Sequence, residues 1–312
     1  CDGSHKEGIA PPFLGIPVLT EIPQGGRMQQ LTYIVSGTAD AQRKAEQAKE
    51  KLERIPHIES LLITIAAPCE MPAEKARSIQ CAVRELFPAA RILVYTCALK
   101  MSDMHLDIDG IMLTFSAFES SQVDFFVVSG KDSEANEQFV DFIAAHPDTK
   151  ATAFYVVGLM EKIDDLFNDI SVMDERIQVF GAFADAPAMN AYGYLIADGM
   201  EMRYGVLAVV FRGENLEVLV TRNFGWNMLG REIVATRVED YTIKELDGDA
   251  PIKIYERYFG IKDDGNFGSD AALFPLCFEE EDGSVSARVP LRIKEGTGEL
   301  VFGLPMQQGT KF

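Results

Sequence analysis

Cys97 stands directly after a β-rich run at 92–96, where a strand end opens into a loop. A thiol in such a place attacks substrate only as the thiolate, which needs a base beside it. His105 is the nearest histidine, and no activating motif surrounds the two. A cysteine-dependent hydrolase is therefore the alternative reading, and a buried or ligand-contacting thiol the first one. Asp103, His105, Asp107 and Asp109 alternate, a spacing that a metal could use. Met104, Leu106 and Ile108 fill the gaps, so the same alternation describes a strand with one solvated face. The glycine and distal glutamate of a calcium loop are missing. Neither GxGxxG nor GxxxxGK[ST] occurs. No metal and no cofactor is expected.

The first five residues, Cys1-Asp2-Gly3-Ser4-His5, match the closing half of the CDGSH iron–sulfur motif. A cluster needs four ligands, and the two upstream cysteines of that motif are not in this sequence. Residues 1–27 are rich in Pro and Gly without amphipathic period, and read as a leader, a linker or a remnant foreign to the fold. The other cysteines (Cys69, Cys81, Cys97, Cys277) have no CxxC spacing, the usage of reduced thiols in a cytoplasmic protein. The net charge of -19 argues against nucleic acid and against an anionic membrane surface as partners. No run of 18 apolar residues and no signal peptide is present, so no membrane insertion is expected.

The elements that must position these residues alternate. Strand patterns at 31–35, 61–66 and 92–96 bracket helix patterns at 40–55 and 73–87, the first carrying Ala41, Ala45, Ala48 and Leu52 at helical spacing. Residues 111–118 and 123–129 read as a hairpin across Glu119-Ser120-Ser121. The order then restarts: helix 134–145, strand 151–157, helix 163–172, strand 177–180, and a second hairpin at 206–211 and 216–221. Gly110-Ile111-Met112-Leu113 falls against Gly205-Val206-Leu207-Ala208, and 122–128 against 215–221, a period of about 90–95 residues. The expected fold is mixed α/β (α+β), with internally duplicated βαβαβ-hairpin halves over 28–222. A smaller β-rich C-terminal region over 223–312 follows, with a helix at 252–259, a polar loop at 262–270, and strands at 274–278, 286–293 and 300–304. A duplicated domain makes a cleft between its halves, a common place for a small ligand.

Several stretches resemble the FIST family. They are Asn223-Phe224-Gly225-Trp226-Asn227-Met228-Leu229-Gly230, the turn Glu245-Leu246-Asp247-Gly248, and Ile254-Tyr255-Glu256-Arg257-Tyr258-Phe259-Gly260. Phe274-Pro275-Leu276, Arg288 and Gly298-Glu299-Leu300 follow in family order, and Val179-Phe180-Gly181-Ala182-Phe183-Ala184-Asp185 resembles a strand-ending element upstream. Two departures stand out: Tyr95-Thr96-Cys97-Ala98-Leu99-Lys100 keeps the family's cysteine without its glycines, and Ala182 replaces a glycine.

The resemblance implies an intracellular sensory module, not an enzyme, of FIST N-like and FIST C-like parts. Its implied partners are a small molecule, an amino acid among the candidates, and an output unit such as a diguanylate cyclase beyond Phe312. A homodimer is compatible with this reading, as is a ligand-free scaffold or dimerisation module. The expected ligand contacts are Thr96, Cys97, Gly181 and Ala182, with Asp185 for an ammonium group, Arg222 or Arg288 for a carboxylate, and Trp226 as a cover.

Overall fold

The structure, a computed structural model, describes residues 18–21, 28–102, 105–107, 109–128, 133–158, 176–184, 193–220, 230–279, 285–303 and 305–312. Two compact units are present, one built on Ile16–Thr221 and one on Arg222–Phe312.

The first unit contains β1 (Val18–Glu21), β2 (Met28–Val35), α1 (Thr38–Leu52), β3 (Ser60–Ala67), α2 (Ala73–Leu86) and β4 (Arg91–Thr96). A small ribbon of β5 (Lys100–Ser102) and β6 (His105–Asp107) precedes β7 (Ile111–Phe118) and β8 (Gln122–Val128). Then come α3 (Ser133–Ala145), β9 (Thr149–Val157), β10 (Gln178–Phe183), β11 (Leu195–Ala197), β12 (Met200–Met202), β13 (Gly205–Arg212) and β14 (Leu216–Leu219). The helix expected at 163–172 lies outside the described residues.

Helical spacing decides where α1 lies. Ala41, Ala45, Ala48 and Leu52 are buried on one face, and three alanines in four let the helix sit close to the sheet. A parallel pair of strands needs a crossover, and α2 supplies it between β3 and β4. Its buried Gln80 donates its amide to the carbonyls of Ile92 (3.3 Å) and Ile196 (3.4 Å), so a polar side chain is satisfied inside the layer.

The first sheet runs β12-β11-β4-β3-β7-β2 and the second β10-β9-β13-β8. Each holds one parallel pair, β3 with β4 and β9 with β10. In each, a strand antiparallel to that pair (β7, β13) bridges to an outer strand (β2, β8). The two cores of this order are identical in plan: β4-β3-β7-β2 and β10-β9-β13-β8.

Both faces of the first sheet are covered, which is why β3 reads as a continuous apolar run. Ile63, Ile65 and Ala67 meet α1 and α2, whereas Leu62 points the other way. There Leu62, Leu93 and Phe118 pack against Ala151, Ala153, Leu207, Val209 and Phe211 of the second sheet. The outer face of the second sheet covers Phe139 and Ile143 of α3 with Phe154, Val156, Val206, Ala208 and Val210. The layers are therefore helices, sheet, sheet and helix.

The direction of stacking follows from the aromatic contacts. Phe118 is level with Ser60 at the start of β3, and Phe211 with Ala151 near the start of β9. Their rings lie 6.1 Å apart. Tyr95 near the end of β4 and Tyr155 near the end of β9 lie 5.2 Å apart. Start meets start and end meets end, so the two parallel pairs point the same way.

Two expected hairpins do not form. β7 bonds to β2 and β3, while β8 bonds to β13. Glu119-Ser120-Ser121 therefore carries the chain from one sheet to the other, held by Ser60 Oγ donating to the Ser121 carbonyl at 2.7 Å. Likewise β14 pairs with β1 rather than β13, so Val18–Glu21, inside the stretch expected to be a linker, is a strand. Period-two alternation is the same in a hairpin as in strands of stacked sheets, so the pattern alone does not separate them.

The second unit contains β15 (Ala235–Glu239), β16 (Thr242–Leu246), α4 (Ile252–Phe259), α5 (Phe267–Ala271), β17 (Leu276–Glu279), β18 (Val285–Arg288), β19 (Pro290–Lys294) and β20 (Glu299–Phe302). Its sheet runs β15-β16-β20-β19 over a core of Ile243, Leu246, Tyr255, Phe267 and Leu300. Gly260 closes α4 in the left-handed conformation (φ 70). The loop expected at 262–270 ends in the short helix α5. The single strand expected at 286–293 is two, because Pro290 lacks the amide to continue one ladder: β18 pairs with β17, and β19 with β20.

Phe118→Ala should cost about 3–5 kcal/mol of unfolding free energy in chemical denaturation, the cavity term included. Leu219→Ala, at an exposed position of β14, should stay within about 0.5 kcal/mol.

Candidate functional site

The carboxyl ends of β3, β4, β9 and β10 gather at one end of the stacked sheets. On the facing surfaces of that end Val157 and Ala66 stay buried while their neighbours vary. At the amino ends Leu62, Phe118, Ala151 and Phe211 are buried. Toward the other end Tyr95, Tyr155, Met112 and Ala184 are half-buried, and Ala182 is exposed. Ile34 at the end of β2 is 38% exposed and Val127 at the end of β8 37%. Open α/β sheets take ligands outside the carboxyl ends of parallel strands, since the chain there turns away and leaves the crevice uncovered.

Tyr95 and Tyr155 form the floor of this end. Their rings are tilted 48° to each other. Neither hydroxyl has a hydrogen-bond partner among the described residues. Burial pushes the Tyr95 phenol well above its ordinary value near 10, and the neighbouring Tyr155 and Cys97 add to the effect. Burial first, and Cys97 second, push Tyr155 up to about 12. Both are neutral hydrogen-bond donors at neutral pH. The Cys97 thiol shares this environment and donates toward the Leu99 carbonyl at 3.0 Å. Its backbone amide donates to the Ala67 carbonyl at 2.8 Å, which fixes the strand ends of β3 and β4 together. Lys100, 1% exposed, donates its ammonium to the Cys97 carbonyl at 3.0 Å and so folds the following turn back onto the strand end.

The sequence-predicted residues have different fates. Thr96 is buried, and its side chain accepts the Tyr194 amide at 3.2 Å; its own amide donates to the Tyr194 carbonyl. It joins β4 to the segment before β11. Tyr194 is itself buried, its hydroxyl without a partner among the described residues and its phenol pushed up to about 12, chiefly by burial. Gly181 is level with Phe154 on β9, and a Cβ at 181 would collide with the Phe154 carbonyl oxygen, so the neighbouring strand itself demands glycine. Ala182 is level with Tyr155 and lies on the strand face it shares with Phe180 and Ala184. Thus Cys97, Tyr95, Tyr155 and Ala182 come together. Asp185, Arg222 and Trp226 lie outside the described residues. Arg288 belongs to the other unit, where its guanidinium lies 5.1 Å over the Phe278 ring.

Sequence reasoning missed the tyrosine pair. Period two places residue 95 on the same strand face as Cys97, so Tyr95 was within reach of the pattern; Tyr155 needed the stacking of the sheets. The Asp103–Asp109 alternation falls mainly outside the described residues, and among the described residues no group of His, Cys, Asp or Glu could hold a metal. Cys69, Cys81, Cys97 and Cys277 take part in no disulfide. No described helix is long and apolar enough to cross a membrane.

Two outcomes follow from this geometry. Gly181→Ala should destabilise the chain by more than about 1 kcal/mol in denaturant titrations, because backbone must yield. In alkali, the unfolded chain loses its phenolic protons near pH 10 while Tyr155 and Tyr194 hold theirs until about 12. The unfolded state then binds fewer protons, so stability should be whole below pH 10 and fall from pH 10 towards 12. Phenolate absorbance near 295 nm, followed beside circular dichroism, should show these tyrosines ionising together with unfolding.

No curated protein matches the chain. The family description FIST N domain matches residues 61–249, more than half of the chain, running from β3 through the whole second sheet and on past β16. FIST domains are a family of sensory domains, which is consistent with a signalling role. The chain belongs to the FIST family.

Proposed function

We propose that the chain is a cytoplasmic sensory module that binds a small molecule at the carboxyl ends of β3, β4, β9 and β10. It passes the bound state to an output unit such as a diguanylate cyclase, in the same polypeptide or in a partner. The observation that carries this reading is the exposure of Ala182 beside Tyr155, with Ile34 and Val127 also exposed at strand ends of the same end, where Tyr95 meets Tyr155. The shared order of the two sheets supports an origin by duplication, with 28–222 as the sensing part and 223–312 as a FIST C-like part. Under that reading the crevice is the seam of the duplication. Cys97 is a wall residue, so the chain is not an enzyme.

Thermal melts with a panel of small molecules, amino acids included, test this. A ligand at 100 times its Kd should add about 2.7 kcal/mol to the folded state. Ala182→Trp should fill the mouth and abolish the shift while leaving the ligand-free melting temperature within a few degrees. Cys97→Ser should keep the shift, which a thiol hydrolase would not survive as activity. A shift that persists unchanged in Ala182→Trp would sink the proposed location.

A further inference from the structure

The crevice that the proposed function assigns to a ligand has an unusual electrical character for so acidic a chain, with its net charge of -19. On both facing sheets the inward positions near the open end are apolar, aromatic or hydroxylated. Thr32, Ile34, Thr64 and Ala66 stand on β2 and β3, Tyr95 and Cys97 at the end of β4. Tyr155 and Ala182 face them from the second sheet. Thr32 and Thr114 hydrogen-bond each other at 3.2 Å, so these hydroxyls are already engaged.

Among the described residues, the titratable groups that act on the phenols are Tyr155 and Cys97 for Tyr95, and Cys97 for Tyr155. Among the described residues no carboxylate, ammonium or guanidinium belongs to that set. The nearest candidate along the chain, Lys100, is turned to the Cys97 carbonyl and is not one of the groups acting on either phenol.

From this we infer that the crevice selects a neutral, planar aromatic molecule carrying a hydrogen-bond acceptor, rather than a zwitterion or an anion. The inference rests on the ligand-binding reading of the same crevice and narrows its chemical class. Among the described residues no charge stands there to compensate a charged ligand for its lost hydration. An aromatic ring adds a third member to the Tyr95–Tyr155 cluster, through offset or edge-on contact with rings that are only partly covered. The two phenolic hydroxyls, for which no bond to a described residue is made, supply donors for the ligand's acceptor. Exposed Ala182, where a larger residue would stand over Tyr155, leaves the room.

Isothermal titration calorimetry on the full chain tests this with four probes of similar or smaller size: p-cresol, cyclohexanol, benzoate and glycine. On the unaltered chain p-cresol should bind about tenfold more tightly than cyclohexanol, and benzoate and glycine more weakly still. Tyr155→Leu should lower p-cresol affinity about tenfold. Tyr95→Phe, which keeps the ring and the packing, should lower it about fivefold through the lost hydroxyl. Circular dichroism melts establish that each variant folds, and Tyr95→Phe keeps the test open where Tyr155→Leu fails to fold. Glycine or benzoate binding at least as tightly as p-cresol, and lost in Ala182→Trp, would overturn the ligand class while leaving the crevice as the binding site. Binding of p-cresol that survives Tyr95→Phe, Tyr155→Leu and Ala182→Trp would overturn the class and the location together. Failure of all four probes to bind overturns the class, and the melt panel with Ala182→Trp then decides the location on its own.

Discussion

The stacking of one sheet on the other, with both parallel pairs pointing the same way, is the constraint from which the rest of the first unit follows. Two inner faces about 10 Å apart must fill the space between them with side chains. At the amino ends they do so with Phe118, Phe211 and Phe180, the last two stacked at 6.3 Å. Burying each such ring contributes about 1.5–3 kcal/mol, so this end resists separation. The opposite end has Ala66, Ala182 and Ala184 on its inner faces beside Val157 and the Tyr95–Tyr155 pair, and of the three alanines only Ala182 is exposed. Packed with phenylalanines at one end, the pair of sheets carries its small exposed residue, Ala182, where the parallel strands finish, which is where the proposed ligand would sit.

A crevice holds a ligand in a defined pose only when its walls are fixed, and here the fixing is done from behind by polar groups. Asp198 sits in the left-handed region (φ 46) and meets β4 twice. Its amide donates to the Ile92 carbonyl at 2.9 Å, and its carboxylate accepts the Ile92 amide at 2.9 Å. The same carboxylate takes Arg84 at 2.5 Å and Arg91 at 3.0 Å, which ties α2 and β4 to the β11–β12 turn. Further along β4, Thr96 exchanges two hydrogen bonds with Tyr194. These contacts lie on the side of the sheet away from the crevice or at its edge. They leave Tyr95 and Cys97 facing inward on a strand whose register is set elsewhere.

Much of this was legible in the chain. The alanine spacing of α1, the apolar runs of β3 and β4 and the stop of α4 at Gly260 each follow from local rules, and the structure has them. What escaped were facts of pairing. A strand that alternates says that one face is covered, not what covers it, so β7 and β8 read as a hairpin though they lie in different sheets. Val18–Glu21 carries too short a pattern to announce itself and becomes a strand because β14 offers an edge. Gly181 read as room for a ligand, but the Phe154 carbonyl occupies the place its side chain would need. Cys97 drew attention for its sulfur. Its position mattered more, because residue 95, two before it, meets Tyr155 across the gap.

A sensor needs its ligand to favour one arrangement of the protein over another, since equal affinity for both shifts nothing. The stacked sheets offer an asymmetry suited to that. Their aromatic end is packed with phenylalanines, and their carboxyl ends meet through small side chains, Val157 and one pair of tyrosines. A ring inserted beside Tyr95 and Tyr155 would be felt as a change in separation between β4 and β9. Both strands are tied to helices or further strands on their outer sides, by Gln80 and Asp198 for β4 and by the α3 packing for β9. Displacement at the crevice therefore cannot be absorbed within the two strands alone. Under the proposed function it would reach the outer layers, α2 and α3.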